Sequence, residues 1–127
     1  MKKIINKKKE IKKEEDMFIE NISPNEVVNL KEQISYQEGK VVHKTLVGRK
    51  EMTLTLFAFD EGTKIDTHSS NGDAMVVVLE GEVQLTVGGV AKKAKEGETL
   101  IMPANIPHAV EALTKYKMLL IVVKPLQ

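Results

Sequence analysis

Between residues 41 and 123, apolar and polar positions alternate in short runs, cut by Gly, Pro, Asn or Asp at intervals of about eight to twelve residues. A period of two puts successive side chains on opposite faces of an extended chain, so each run reads as a β-strand with one face buried. The runs fall at 41–47, 52–59, 82–87, 99–102, 108–113 and 117–123. The stretch 75–79, Met-Val-Val-Val-Leu, is apolar on both faces, as a strand between two layers would be. Asp60-Glu61-Gly62 stops the second run and Asn71-Gly72 marks a turn. Gly88-Gly89 closes a hairpin, and Pro103 and Pro125 each end a strand. Many short strands with regular turn signals predict an all-β sandwich or barrel.

Upstream the pattern changes. Ser23-Pro24-Asn25-Glu26 offers an N-cap serine, a proline at the first helical position and a glutamate at the third, which predicts one short helix reaching about Lys31. Met17-Phe18-Ile19 is an apolar patch suited to tethering what precedes it. Residues 1–16 form a charged N-terminal arm in which Lys and Glu interleave, as on a solvated helix or a tail. The arm holds seven Lys and four acidic residues, a net of +3. Residues 17–127, the expected barrel domain, hold twelve Lys plus Arg and fourteen acidic residues, a net of −2. The one arginine is Arg49, and no aromatic residue sits among the arm's lysines to stack on bases, which argues against a nucleic-acid partner.

At 127 residues and 42% apolar, the chain has enough material for one domain around one core. It contains no cysteine, which excludes disulfides and thiolate chemistry and accords with a reducing compartment. No apolar run is long enough to span a bilayer, and the arm is too charged to hold a signal-peptide apolar segment. The expectation is a soluble, cytoplasmic protein with no membrane partner.

Two segments carry the candidate chemistry. The first runs from Gly62 through His68, Ser70, Asp73 and Ala74 to Gly81, and the second runs from Gly97 through Pro103 and Asn105 to His108 and Ala112. Together they resemble the two motifs of the cupin superfamily. The first motif is a glycine, His-x-His, a glutamate and a glycine; Gly62, His68 and Gly81 fall in register, with Ser70 at the second His and Ala74 at the Glu. The second is a glycine, Pro-x-Gly, a histidine and an asparagine; Gly97, Pro103 and His108 fall in register, with Asn105 at the glycine and Ala112 at the asparagine. The resemblance covers roughly residues 40–125 and implies a single-domain jelly-roll barrel with a degenerate metal motif.

In that family the barrel interior holds a divalent transition metal such as Fe, Mn, Ni, Cu or Zn through three His and one Glu. Here His68 and His108 remain, and Asp73 is the nearest carboxylate to the lost Glu position. Residues 68, 70 and 74 share parity, so an extended segment would turn them into one cavity. Asp73 would point away unless a bulge at Asn71-Gly72 reverses the parity, and its other reading is a turn carboxylate capping backbone amides. Ser70, Met102 and Met118 complete the candidate ligand pocket beside His68 and His108, with Val76 and Val78 continuing the parity of His68. His43 matches neither motif and reads as a surface residue. Two functions follow. One is a barrel that binds a small molecule, with or without a weakly held metal ion. The other, implied by the resemblance, is a metal-dependent enzyme such as a quercetinase-like dioxygenase, and catalysis is left open. The last strand is apolar on both faces, which suits a homodimer interface.

Overall fold

The alternating runs become nine antiparallel strands in the computed structural model, which describes residues 17–126; the charged arm, 1–16, lies outside the described residues. The strands are β1 (Val41–Gly48), β2 (Met52–Phe59), β3 (Lys64–His68), β4 (Asp73–Glu80), β5 (Glu82–Val87), β6 (Val90–Lys95), β7 (Thr99–Met102), β8 (His108–Ala112) and β9 (Tyr116–Val123). A five-stranded sheet has the order β1-β2-β9-β4-β7, and a four-stranded sheet the order β3-β8-β5-β6. β3 and β6, which periodicity alone does not pick out, are the two edges of the smaller sheet. An edge strand faces solvent, so polar sequences such as Lys64-Ile65-Asp66-Thr67-His68 suffice there and also discourage edge-to-edge pairing.

The inner faces of both sheets close on one apolar core. Phe59, Val76 and Met118 come from the larger sheet, and Val83, Leu85 and Val110 from the smaller. Each of these is at most 3% exposed, so each side chain contributes about 1.5–3 kcal/mol relative to leaving it in water. Tyr116 is wholly buried among them. Its hydroxyl donates to Met118 Sδ at 3.0 Å, and burial pushes its ionisation well above the usual phenol range.

A second cluster lies on the outer face of the larger sheet. Ile34, Leu46, Leu56 and Ala58 are buried there, with Leu30, Tyr36 and Leu119 packed against them. The cover is the segment 17–36, which runs across the sheet as a strap. Its backbone amide at Glu20 donates to Leu46 O at 2.7 Å, and Asn21 Nδ2 donates to Thr45 O at the same distance. Both carbonyls lie on the edge strand β1, where the register slips between Thr45 and Val47. Further along, Tyr36 donates to Glu80 Oε2 at 2.5 Å, and the largely buried Lys117 donates to Lys31 O at 2.6 Å while its Nζ stands 4.9 Å from the Tyr36 ring centroid.

The helix predicted from Ser23 does not form. Asn25 takes a left-handed φ of 66°, which halts a helix at its first turn, and the exposed, β-branched Val27 and Val28 do not restart it. Helical backbone is confined to a 3-10 turn, Leu30–Gln33, capped by Asn29, whose side chain accepts from Lys31 N at 3.3 Å.

Candidate functional site

β3 and β8 are neighbours, and their register sets His68 directly opposite His108. The imidazole centroids stand 4.4 Å apart in an edge-to-face arrangement. This pairing depends on a bulge. Ile65 pairs with Val110 and His68 with His108, so β3 spends three residues where β8 spends two. The extra residue reverses the parity of β3, and so Ile65 and His68 both lie on the inner side although one number is odd and the other even. His108 is buried at the barrel end, next to Val87 on β5, while His68 is exposed at the mouth.

The two rings share one hydrogen-bonding scheme. His68 Nδ1 lies 2.9 Å from Asp66 O, and His108 Nδ1 lies 3.2 Å from Ile106 O. A carbonyl oxygen only accepts, so each neutral ring carries its proton on Nδ1 and keeps a lone pair on Nε2. Burial lowers the His108 pKa below its ordinary value of 6.5, with the neighbouring His68 acting in the same direction and the Ile106 carbonyl opposing them. His108 is therefore neutral at physiological pH.

A measurable consequence follows. The unfolded chain takes up a proton on this histidine near pH 6.5, while the folded chain resists until lower pH. Folding stability contributed by His108 is thus complete above pH 6.5 and declines as the pH falls through that value. Urea titrations at stepwise lower pH should show that decline in the wild type and a shallower one in His108→Gln; parallel pH profiles would refute the assignment.

The other candidate residues are placed as follows. Ser70, on the loop between β3 and β4, has its hydroxyl 3.3–3.4 Å from the backbone of Gly72, and its carbonyl accepts from Asn105 N at 2.7 Å. Asp73 is exposed at the start of β4, and its Oδ1 accepts from Ala104 N at 2.8 Å, tying β4 to the loop before β8. Met102 and Met118 are 2% and 1% exposed in the barrel core, beneath the mouth. Among the described residues, no group of three or more His, Cys, Asp or Glu could hold a metal ion. Ala74 and Ala112, at the motif positions of Glu and Asn, are buried in the core. Asn105, at a motif glycine position, has a φ of 63°, so the left-handed turn survives the replacement.

His43 is exposed, as read from the sequence. Its register opposite Phe57, however, puts it on the concave side of the larger sheet, with ring centroids 5.9 Å apart. The shared parity of His43 with Val41 was the one sequence signal for that placement, since Val41 packs on the core.

Comparison with known proteins accords with this architecture. The cupin domain family matches residues 55–124. A conserved protein of unknown function from Streptococcus pyogenes is 39% identical with a TM-score of 0.85, the match covering 87% of this chain and 97% of that one. A cupin 2 conserved barrel domain protein from Leptotrichia buccalis is 47% identical with a TM-score of 0.74 over 76% of this chain, which spans 47% of that longer protein. A cupin superfamily protein from Desulfitobacterium hafniense, 23% identical, shares the fold with a TM-score of 0.81, over 84% of this chain and 98% of that one. No curated protein matches the sequence.

Proposed function

The chain belongs to the cupin family, and from that premise we propose that it is a small-molecule-binding barrel that recognises its ligand through the His68–His108 pair. The observation that carries this reading is the shared hydrogen-bonding scheme of the two rings, which leaves two adjacent Nε2 lone pairs. Two neutral acceptors about one ring-width apart suit a molecule with neighbouring donors, such as a diol, a catechol or an amino alcohol. Apolar side chains behind them, Val87 and Val110, would take its hydrocarbon part.

The donor set does not fit a resident three- or four-ligand metal centre. Zinc and non-haem iron sites draw at least three protein donors, and two imidazoles are at hand here. The Asp73 carboxylate is engaged with Ala104 N, and the Ser70 hydroxyl with Gly72. A divalent ion held by the pair and completed by water would be weak, and the dioxygenase reading would need a third ligand.

Carbon-detected spectra of the two histidine rings provide the test. Added Zn²⁺ alone, and separately a panel of diols and catechols, should shift both ring signals. His108→Ala should reduce affinity for the bound probe at least about tenfold, or 1.4 kcal/mol. Stoichiometric metal that survives dialysis and persists in His108→Ala would overturn the reading, as would ring signals that no probe moves.

A further inference from the structure

The strap covers only part of the outer face of the larger sheet. Beyond it runs an uncovered row, one residue from each of four adjacent strands. Leu54 on β2 pairs with Ile121 on β9, Ile121 with Met75 on β4, and Met75 with Ile101 on β7. Directly paired residues share a face, and Leu54 belongs to the outer cluster, so all four point outward. None of the four is titratable. Ile101 is 55% exposed, and Val123, in the adjoining row, is 56% exposed.

At its Leu54 end the row enters a groove of about 340 Å³ between strap and sheet. Met17, Ile19, Ile22, Leu46 and Leu119 are among its walls. At the other end Ile101 projects from the edge strand. One end of the row is therefore a socket and the other a knob.

We propose that this face is the contact between two copies of the chain, related by a two-fold axis that runs parallel to the strands between β9 and β4. That axis maps the row onto itself in reverse. Ile101 of the second copy then stands over Leu54 and enters the groove, Met75 meets Ile121, and the same contacts recur by symmetry. A two-fold along the row instead would set strap against strap and hold the apolar rows apart. A second copy is favoured over another partner because the face carries knob and socket at equal distances from one axis. The row alone is smaller than the roughly 800 Å² per partner of a standard interface. The strap adds to it, since Ile19, a groove wall, is 50% exposed.

The chain has no cysteine, which makes cross-linking unambiguous. Leu54 and Ile101 are three strands apart, about 14 Å, beyond the roughly 7 Å within which one chain could close a disulfide on itself. Leu54→Cys/Ile101→Cys should therefore yield a covalent dimer under oxidation. Sedimentation equilibrium should find the wild type dimeric, and Ile101→Glu should raise the dissociation constant roughly a hundredfold or more by placing a carboxylate in an apolar groove. Val90→Glu, an exposed apolar position at the far hairpin, should leave the dimer intact. A monomeric wild type, an Ile101→Glu dimer as tight as wild type, a Val90→Glu variant that dissociates equally, or a double-cysteine variant that stays unlinked would each overturn the proposal.

Discussion

Gly81→Ala is expected to remove a large part of the stability of this fold. Gly81 joins β4 to β5 with a φ of 81°, a conformation that costs an L residue about 1–2 kcal/mol. The larger effect is spatial. A Cβ at this position would lie 2.0 Å from Lys115 O and 2.7 Å from Thr114 Oγ1. Neither neighbour is free to retreat. Thr114 Oγ1 accepts from Glu82 N at 3.0 Å, Leu113 N donates to Glu82 O at 3.0 Å, and Lys115 leads directly into β9. The overlap must be relieved by moving backbone between two strands of the core. A combined cost of about 3–5 kcal/mol is expected, against a total of roughly 5–15 kcal/mol for a domain of ordinary stability. That is a fall in Tm of roughly 10–20 °C. Gly89→Ala is the internal control. Its φ is 83°, yet nothing lies within 4 Å of the added carbon, so it should cost about 1 kcal/mol. Thermal melts followed by circular dichroism separate the two; coincident melts would mean that the close approach to Lys115 is not what requires glycine.

Leu56→Ala is expected to be nearly as damaging, although Leu56 lies outside the barrel. Its side chain is wholly buried between the larger sheet and the strap, in one cluster with Ile34, Leu46 and Ala58. Truncating a buried leucine costs about 2–5 kcal/mol, according to how far the surroundings collapse into the space. Leu85→Ala, in the barrel interior, provides the scale. If the strap is part of the cooperative unit, the two variants should lose similar stability in urea. If the strap detaches before the barrel unfolds, Leu56→Ala should fall within about 0.5 kcal/mol of wild type, as surface substitutions do. The contacts favour the first outcome, since Glu20, Asn21, Tyr36 and Lys31 each hydrogen-bond to the sheet.

These two positions show unequal legibility. Gly81 was visible in the sequence as a motif glycine, and the turn it predicts is present. Its severity was not visible, because Lys115 lies far along the chain and comes close only when β9 returns beside β4. Leu56 was visible as an apolar strand residue but not as a member of a second core. A strand with both faces apolar has two burial partners, and the pattern names neither. The predicted helix failed for a comparable reason. Its capping signals were real local preferences, but the left-handed Asn25 and the demands of crossing the sheet prevailed over them.

The candidate site divides along the same line. His68 and His108 were found by motif spacing, and the structure sets them opposite each other. The parity used to relate residues 68, 70 and 74 does not hold across that span, because His68 and Ala74 lie on different strands in different sheets, separated by a loop. The bulge considered at Asn71-Gly72 is instead in β3, between Ile65 and His68, where it turns His68 inward. Asp73 is drawn to Ala104 N, from a loop some thirty positions further along that sequence distance gives no means to foresee.

Strand positions, turn positions and the choice of an all-β barrel were thus written locally, in period-two alternation and in residues that accept a left-handed backbone. These features depend on near neighbours in the chain, and near neighbours are what a sequence displays directly. Which strands are edges, which apolar faces receive the strap, how the two histidines meet and where each carboxylate finds its donor depend on register between distant segments. A shift of one residue in β3 would turn His68 to the opposite face without altering any composition or period. That choice belongs to the packed sheets, because burying Val110, Val83 and Leu85 together fixes which residue of each strand stands opposite which.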